Sequence, residues 1–184
     1  MRRIAALSAL CLLSALCAAG AMAEPREFTY GGSGEDFLMY IAAGEDGRIA
    51  LTGYTDSTDG TLAGREEAGR CGWLLCVNAQ GNPVFTWWLP GAIPHALERT
   101  QNGFAAAVSG GVTASGLRQT YLALFDEAGI QTGRVPLGAG TGYCQTAALP
   151  DGGIAALVPF ISGEGKEPVD LDARLVIVEP EDLH

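Results

Sequence analysis

The chain has 184 residues, with 11 basic against 21 acidic side chains and a net charge of −10. That length supports one domain with a real core. The acidic balance argues against partners that present dense phosphate, whether nucleic acid or an anionic lipid surface.

In chain order, the first stretch is MRRIAALSALCLLSALCAAGAMA, residues 1–23, in which Arg2 and Arg3 precede an apolar run that ends in Ala21-Met22-Ala23. This is the pattern of a secretory signal cleaved after Ala23. A membrane anchor is the alternative, since the run approaches spanning length, but Gly20 and the Ala-Met-Ala site stand where a cleavable signal needs them. A lipid-modified cysteine fits poorly, because Cys11 and Cys17 each follow a leucine. The expected product is residues 24–184, secreted or held in the cell envelope. Without Arg2 and Arg3 it has 9 basic against 21 acidic residues, a net charge of −12, and no later apolar run of spanning length.

Residues 24–184 read as a single repeat domain. Asp46-Gly47, Asn102-Gly103 and Asp151-Gly152 each precede an Ala-rich apolar run, RIALTGY, FAAAVSG and GIAALVPF, and Asx-Gly is a strong hairpin signal. A third strand follows each hairpin: WLLCVN from Trp73, YLALFD from Tyr121 and RLVIVE from Arg174. Aligned on Asn78, Asp126 and Glu179, these strands recur after 48 and 53 residues. A fourth strand follows in two units, PVFTWWLP from Pro83 and IQTGRVPL from Ile130, entered through turns with Gly81 and Gly129. Apart from the ambiguous His95 to Arg99, no segment after the signal has sustained helical periodicity.

The expected fold class is therefore all-β: about three four-stranded, propeller-like blades forming a partial propeller, at residues 31–91, 92–138 and 139–184. A plain sandwich or meander of similar strands is the competing arrangement. The third unit lacks its fourth strand. Arg26 to Tyr30 reads as the missing one, because Phe28-Thr-Tyr resembles Phe85-Thr-Trp. This N-terminal segment is expected to complete the last blade along Arg174 to Glu179, by returning within one chain or by crossing to a second in a homodimer that closes a six-bladed ring.

Residues GGSGEDFLMYIAAGEDGRIALTGYTDSTDGTLAG and WLLCVNAQGNPVFTWWLPG resemble the blade repeats of secreted bacterial proteins of the SBBP-like β-propeller type. The recurring features are a Gly-Gly-Ser-Gly-acid start, an Asp-Gly hairpin, Gly-Tyr-Thr-polar-Ser, and a third strand with Trp ending in a Gly-Asn turn. The resemblance spans residues 28–91, is faint over 92–138 and fades beyond. It departs at Cys76, where a lysine is usual, and at Asn78, where an aspartate is usual. The resemblance implies an extracytoplasmic repeat protein and supplies no catalytic residues.

The side-chain chemistry points the same way. The sequence holds only His95 and His184 as imidazoles for nucleophilic catalysis and has no Gly-x-Ser-x-Gly, phosphate loop or His-Glu-x-x-His. The glycines of LGAGTGYC, residues 137–144, miss dinucleotide-loop spacing and fit a turn between units. His95 and Glu98 face opposite ways in a regular strand, so they would cooperate only on a helical turn. Glu35-Asp36, Glu45-Asp46 and Glu66-Glu67 lie by turn glycines or in a polar insertion, and nothing separates an acid from a base. Within TDSTDGT, Asp56 and Asp59 are weak metal candidates, because the loop lacks calcium-loop spacing and backbone capping explains both. Neither metal nor cofactor is implied.

Three cysteines remain after cleavage: Cys71, Cys76 and Cys144. Along one extended strand Cys71 and Cys76 would lie about 16 Å apart on opposite faces, too far for a disulfide. A Cys76–Cys144 bridge stays open beside the simpler reading of buried thiols.

Trp87 and Trp88 are the sharpest binding candidates, since adjacent strand residues point to opposite faces and one indole could present a flat surface to a sugar or a protein. The expected function is a non-catalytic secreted or cell-envelope module that binds a glycan or protein partner. The alternative is a secreted glycan hydrolase with carboxylates gathered on one rim.

Overall fold

A computed structural model describes residues 25–66, 69–114, 116–162 and 170–183. The expected signal, residues 1–23, lies outside them, as do Glu67 and His184. The described chain is all-β and has no α-helix. Eleven strands form three antiparallel sheets. Sheet 1 is the meander β1 (Asp36–Ala43), β2 (Ile49–Thr55), β3 (Cys71–Val77) and β4 (Pro83–Leu89). Sheet 2 repeats it with β5 (Ile93–Thr100), β6 (Gly103–Val112), β7 (Arg118–Asp126) and β8 (Gln131–Gly140). Sheet 3 has three strands, β9 (Gln145–Ala148), β10 (Ile154–Ser162) and β11 (Asp170–Val178), with β11 at its edge. His95 to Arg99, ambiguous in sequence, is part of strand β5.

Turn chemistry fixes these meanders locally. At the β3–β4 turn Asn78 N–H donates to Asn82 O at 2.9 Å and Gly81 N–H to Asn78 O at 2.9 Å. The Asn78 carboxamide oxygen accepts from the Gln80 and Asn82 amides. The β7–β8 turn repeats this bond for bond: Asp126 N–H to Ile130 O, Gly129 N–H to Asp126 O, and the Asp126 carboxylate accepting from Ala128 and Ile130. Gly81 and Gly129 have φ of 81° and 83°, a left-handed conformation that a Cβ disfavours, which is why both turns end in glycine.

The sheets stack face to face, and period-2 alternation decides which residues meet. Ala50, Leu74 and Cys76 of sheet 1 pack against Phe104, Ala106, Val108, Ala123 and Phe125 of sheet 2. The opposite face of sheet 2, with Ala105, Ala107, Leu122 and Leu124, packs against Ile154, Ala156 and Val158 of sheet 3. Strand β6 is buried on both faces through residue 110, and its run of alanines lets a sheet approach from either side. Strand β3 is buried throughout, because a third group, Tyr30 and Leu62 over Trp73, Leu75 and Val77, covers the outer face of sheet 1. Each buried leucine here contributes about 1.5–3 kcal/mol relative to exposure. The Glu127 carboxylate ties the first two sheets together, pairing with Arg48 at 3.4 Å and Arg99 at 2.6 Å.

The N-terminal segment departs from expectation. Within the chain Arg26 to Tyr30 forms no strand with β11; it lies over sheet 1. Two contacts hold it there: the Phe28 ring sits over Gly81, where a Cβ would fall on it, and the Tyr30 hydroxyl donates to Gly81 O at 2.8 Å. The amides that follow are anchored in turn. Five consecutive N–H groups, residues 31–35, donate to the side-chain oxygens of Thr61, Asp36, Asp59, Ser57 and Asp56 at 2.5–2.8 Å. The Gly-Gly-Ser-Gly start and TDSTDGT are therefore two sides of one hydrogen-bonded clasp, and it sets the course of the segment before β1.

Candidate functional site

The sequence-derived candidates separate in space. Trp87 faces sheet 2, half-buried, with its ring edge-on to Phe125 at a centroid distance of 4.9 Å. Trp88 faces the other way and packs on the cluster of Leu62 and Trp73. It lines a cleft of about 250 Å³ with Arg65, Arg70 and Pro90. Both arginines are engaged: Arg65 donates to Thr55 O, Ser57 O and Gly69 O, and Arg70 pairs with Glu35 at 3.2 Å and lies over the Tyr54 ring. The structure does not bring the two indoles into one site.

Asp56 and Asp59 are acceptors in the backbone clasp, where Glu35 N–H and Ser33 N–H donate to them. Asp36 lies in the same clasp. Burial raises its pKa, but hydrogen bonds from the Gly32 amide and the Thr55 and Ser57 hydroxyls outweigh that and hold it below the usual carboxylate range. No group of three metal-ligating side chains occurs among the described residues. Cys71, Cys76 and Cys144 are buried thiols; burial pushes Cys76 up and Cys144 up to about 11.

A different site forms where the first strands of the sheets converge, β5 lying against both β1 and β9. Two adjoining depressions of about 390 and 320 Å³ share Met39, Tyr40 and His95. The first adds Glu98 and Thr146, and the second adds Ser109, Arg118, Thr141 and Tyr143. A β-bulge between Pro94 and Ala96 brings His95 into play. The extra residue shifts the alternation by one, so His95 and Glu98 line one cleft although a regular strand would point them apart. Expecting opposite faces was correct for a regular strand and wrong for this one.

His95 Nε2 lies 2.6 Å from the Ser109 hydroxyl, and its ring is 5.9 Å from that of Tyr143. Burial, and then the Arg118 guanidinium, hold the imidazole pKa below its ordinary value, so it is neutral at pH 7. Glu98 accepts from the Thr146 hydroxyl at 2.7 Å. Arg118 begins β7, and the arginine stem runs under Gly142, where a Cβ would crowd it at 2.8 Å. Thr141 N–H donates to Pro159 O at 2.9 Å and fixes the loop that carries Tyr143, which is 71% exposed. Among the described residues no carboxylate pairs with Arg118.

This set suits binding better than nucleophilic chemistry. Ser109 is fully buried, and the imidazole would have to become a cation beside a guanidinium, which makes it a poor general base. Among the described residues no carboxylate hydrogen-bonds to His95 to orient it. What the cleft offers instead is Arg118, a cation without an acidic partner among the described residues, together with Thr141, Tyr40 and the exposed Tyr143 ring. Arg118, Ser109, Tyr143 and Tyr40 carried no sequence signal, because they converge from separate strands and loops. Compared with known proteins, the chain matches no family model and no curated protein.

Proposed function

We propose that this chain is a non-catalytic, extracytoplasmic module whose three sheets are consecutive blades of an open propeller. In this reading the cleft of β1, β5 and β9 binds a glycan bearing a carboxylate. The repeated stacking of meander sheets, the convergence of their first strands and the resemblance of residues 28–91 to secreted blade repeats support the blade reading. The signal-like residues 1–23 support export.

One observation carries the ligand class: Arg118 has no acidic partner among the described residues and lines a depression with the exposed Tyr143. A guanidinium takes a carboxylate in a bidentate grip, and an aromatic face takes the apolar face of a sugar. The net negative charge opposes an anion at long range, but ionic strength of about 0.15 M screens such repulsion beyond roughly 8 Å and leaves the direct contact intact. Calorimetric titration with uronate-containing and neutral oligosaccharides tests the proposal. Binding restricted to the acidic set and weakened at least tenfold by Arg118→Gln supports it. Equal binding of neutral sugars, or of a peptide in their place, overturns the ligand class. Release of reducing ends that Glu98→Gln, the carboxylate lining the cleft, abolishes would establish the glycan-hydrolase alternative instead.

A further inference from the structure

The two ends of the stack are complementary halves of an interface that the chain already makes twice. Aligning Asn78, Asp126 and Glu179 makes Leu74 equivalent to Leu122 and Leu175, and Cys76 equivalent to Leu124 and Ile177. Leu74 and Cys76 are covered by sheet 2, and Leu122 and Leu124 by sheet 3. Leu175 and Ile177 stand at the equivalent positions, and no further sheet among the described residues covers them: they are 65% and 48% exposed. Leu157, beside Leu175 in register, is 40% exposed.

At the other end, Ile49, Leu51 and Val77 occupy the positions of Phe104, Ala106 and Phe125, which meet the preceding sheet. Here they line an apolar groove of about 520 Å³ with Phe28, Tyr30 and Ile41.

The N-terminal segment identifies what belongs in that groove. In β4 the Phe85 ring sits over Gly129 of the next sheet, where a Cβ would fall on it, and Trp87 packs on Phe125. Phe28 sits over Gly81 in the same way, and Tyr30 packs with the cluster of Val77, the residue equivalent to Phe125. Phe28-Thr29-Tyr30 thus lies on sheet 1 as Phe85-Thr86-Trp87 lies on sheet 2. It holds the place of the fourth strand of a preceding sheet, and β11 is an edge strand of a sheet that has three strands among the described residues.

We infer that two copies of this chain close end to end. Sheet 3 of each packs on sheet 1 of the other, and Arg26 to Tyr30 of one copy runs along β11 of the second as its fourth strand. Two copies of three sheets make six, within the roughly four to eight that close a ring, and two-fold symmetry leaves neither apolar face nor β11 edge exposed. The β3–β4 register, Cys76 with Phe85, Leu75 with Thr86 and Leu74 with Trp87, sets the register across copies. It pairs Phe28 with Ile177, Thr29 with Val176 and Tyr30 with Leu175.

The test is the mass of the purified chain in solution by sedimentation equilibrium, together with cross-linking. A dimer is expected. Leu175→Glu, at an exposed position that should leave far-UV circular dichroism unchanged, should weaken the dimer by more than roughly a hundredfold, as an unpaired charge at a buried interface does. Thr29→Cys and Val176→Cys chains, mixed and oxidised, should give a covalent dimer that neither forms alone, since directly opposed Cβ atoms lie about 4.5–5.5 Å apart. The native cysteines are buried and should not compete. A monomer at high concentration, an open-ended polymer, or a dimer indifferent to Leu175→Glu and giving no mixed cross-link would each overturn the inference. None of these results bears on what the cleft binds.

Discussion

Gly129→Ala and Gly81→Ala place the same methyl group in two equivalent turns, and the structure assigns them different penalties. Both glycines have φ near 80°, so alanine loses about 1–2 kcal/mol at either site from the left-handed backbone alone. At Gly129 the new Cβ falls on the ring of Phe85, which is held in β4 opposite Cys76 and packed into the interface between sheets 1 and 2. Forcing a packed ring aside adds about 1–3 kcal/mol. At Gly81 the Cβ falls on Phe28, which is 46% exposed and belongs to no strand within the chain, so in a single copy the ring can swing away. The expected losses are about 3 kcal/mol for Gly129→Ala and about 1.5 kcal/mol for Gly81→Ala. At roughly 2–4 °C per kcal/mol for a domain of this size, Tm should fall by about 6–12 °C and 3–6 °C. Calorimetric scans in the Leu175→Glu background keep association out of the comparison. Equal losses, or a Gly129→Ala protein within about 1 kcal/mol of its parent, would refute the assignment of rigid and movable rings.

Other perturbations read other parts of the fold. Leu122→Ala opens a cavity between sheets 2 and 3 at a fully buried position and should lower stability by about 2–5 kcal/mol in urea titrations, with the m-value unchanged. His95 has a depressed folded pKa, so it stays neutral while the unfolded chain takes up a proton. Its contribution to stability is complete above the unfolded value of about 6.5 and is lost as pH falls from there through the folded value. His95→Gln should therefore flatten the decline in Tm between about pH 7 and pH 5. The Cys144 thiol, raised to about 11 by burial, should resist alkylation at pH 8 in the folded chain and react once urea unfolds it, as mass spectrometry can follow.

The strands and their turns were legible in the sequence because they rest on local chemistry. A hairpin is set by a few residues around Asp46-Gly47, Asn78 to Asn82 or Asp126 to Ile130, and alternation along each strand sorts its two faces. The same alternation, read from the sequence alone, places Trp87 and Trp88 on opposite faces. Strand geometry excluded only a Cys71–Cys76 bridge; that Cys76 and Cys144 are also free, buried thiols was decided by the tertiary structure. The sequence pointed to Phe28-Thr-Tyr as a displaced fourth strand but misjudged where it lies within one chain. Its position depends on a clasp between residues 31–35 and a loop more than twenty residues later, together with a glycine fifty residues on that leaves room for a ring. The cleft was out of reach for a related reason. Its groups come from β1, β5, β6, β7, β9 and the loop after β8, and a single extra residue in β5 turns His95 toward Ser109. Local pairing follows from neighbours in the chain. The side a bulged residue faces, and what meets it there, is decided only when whole sheets stack.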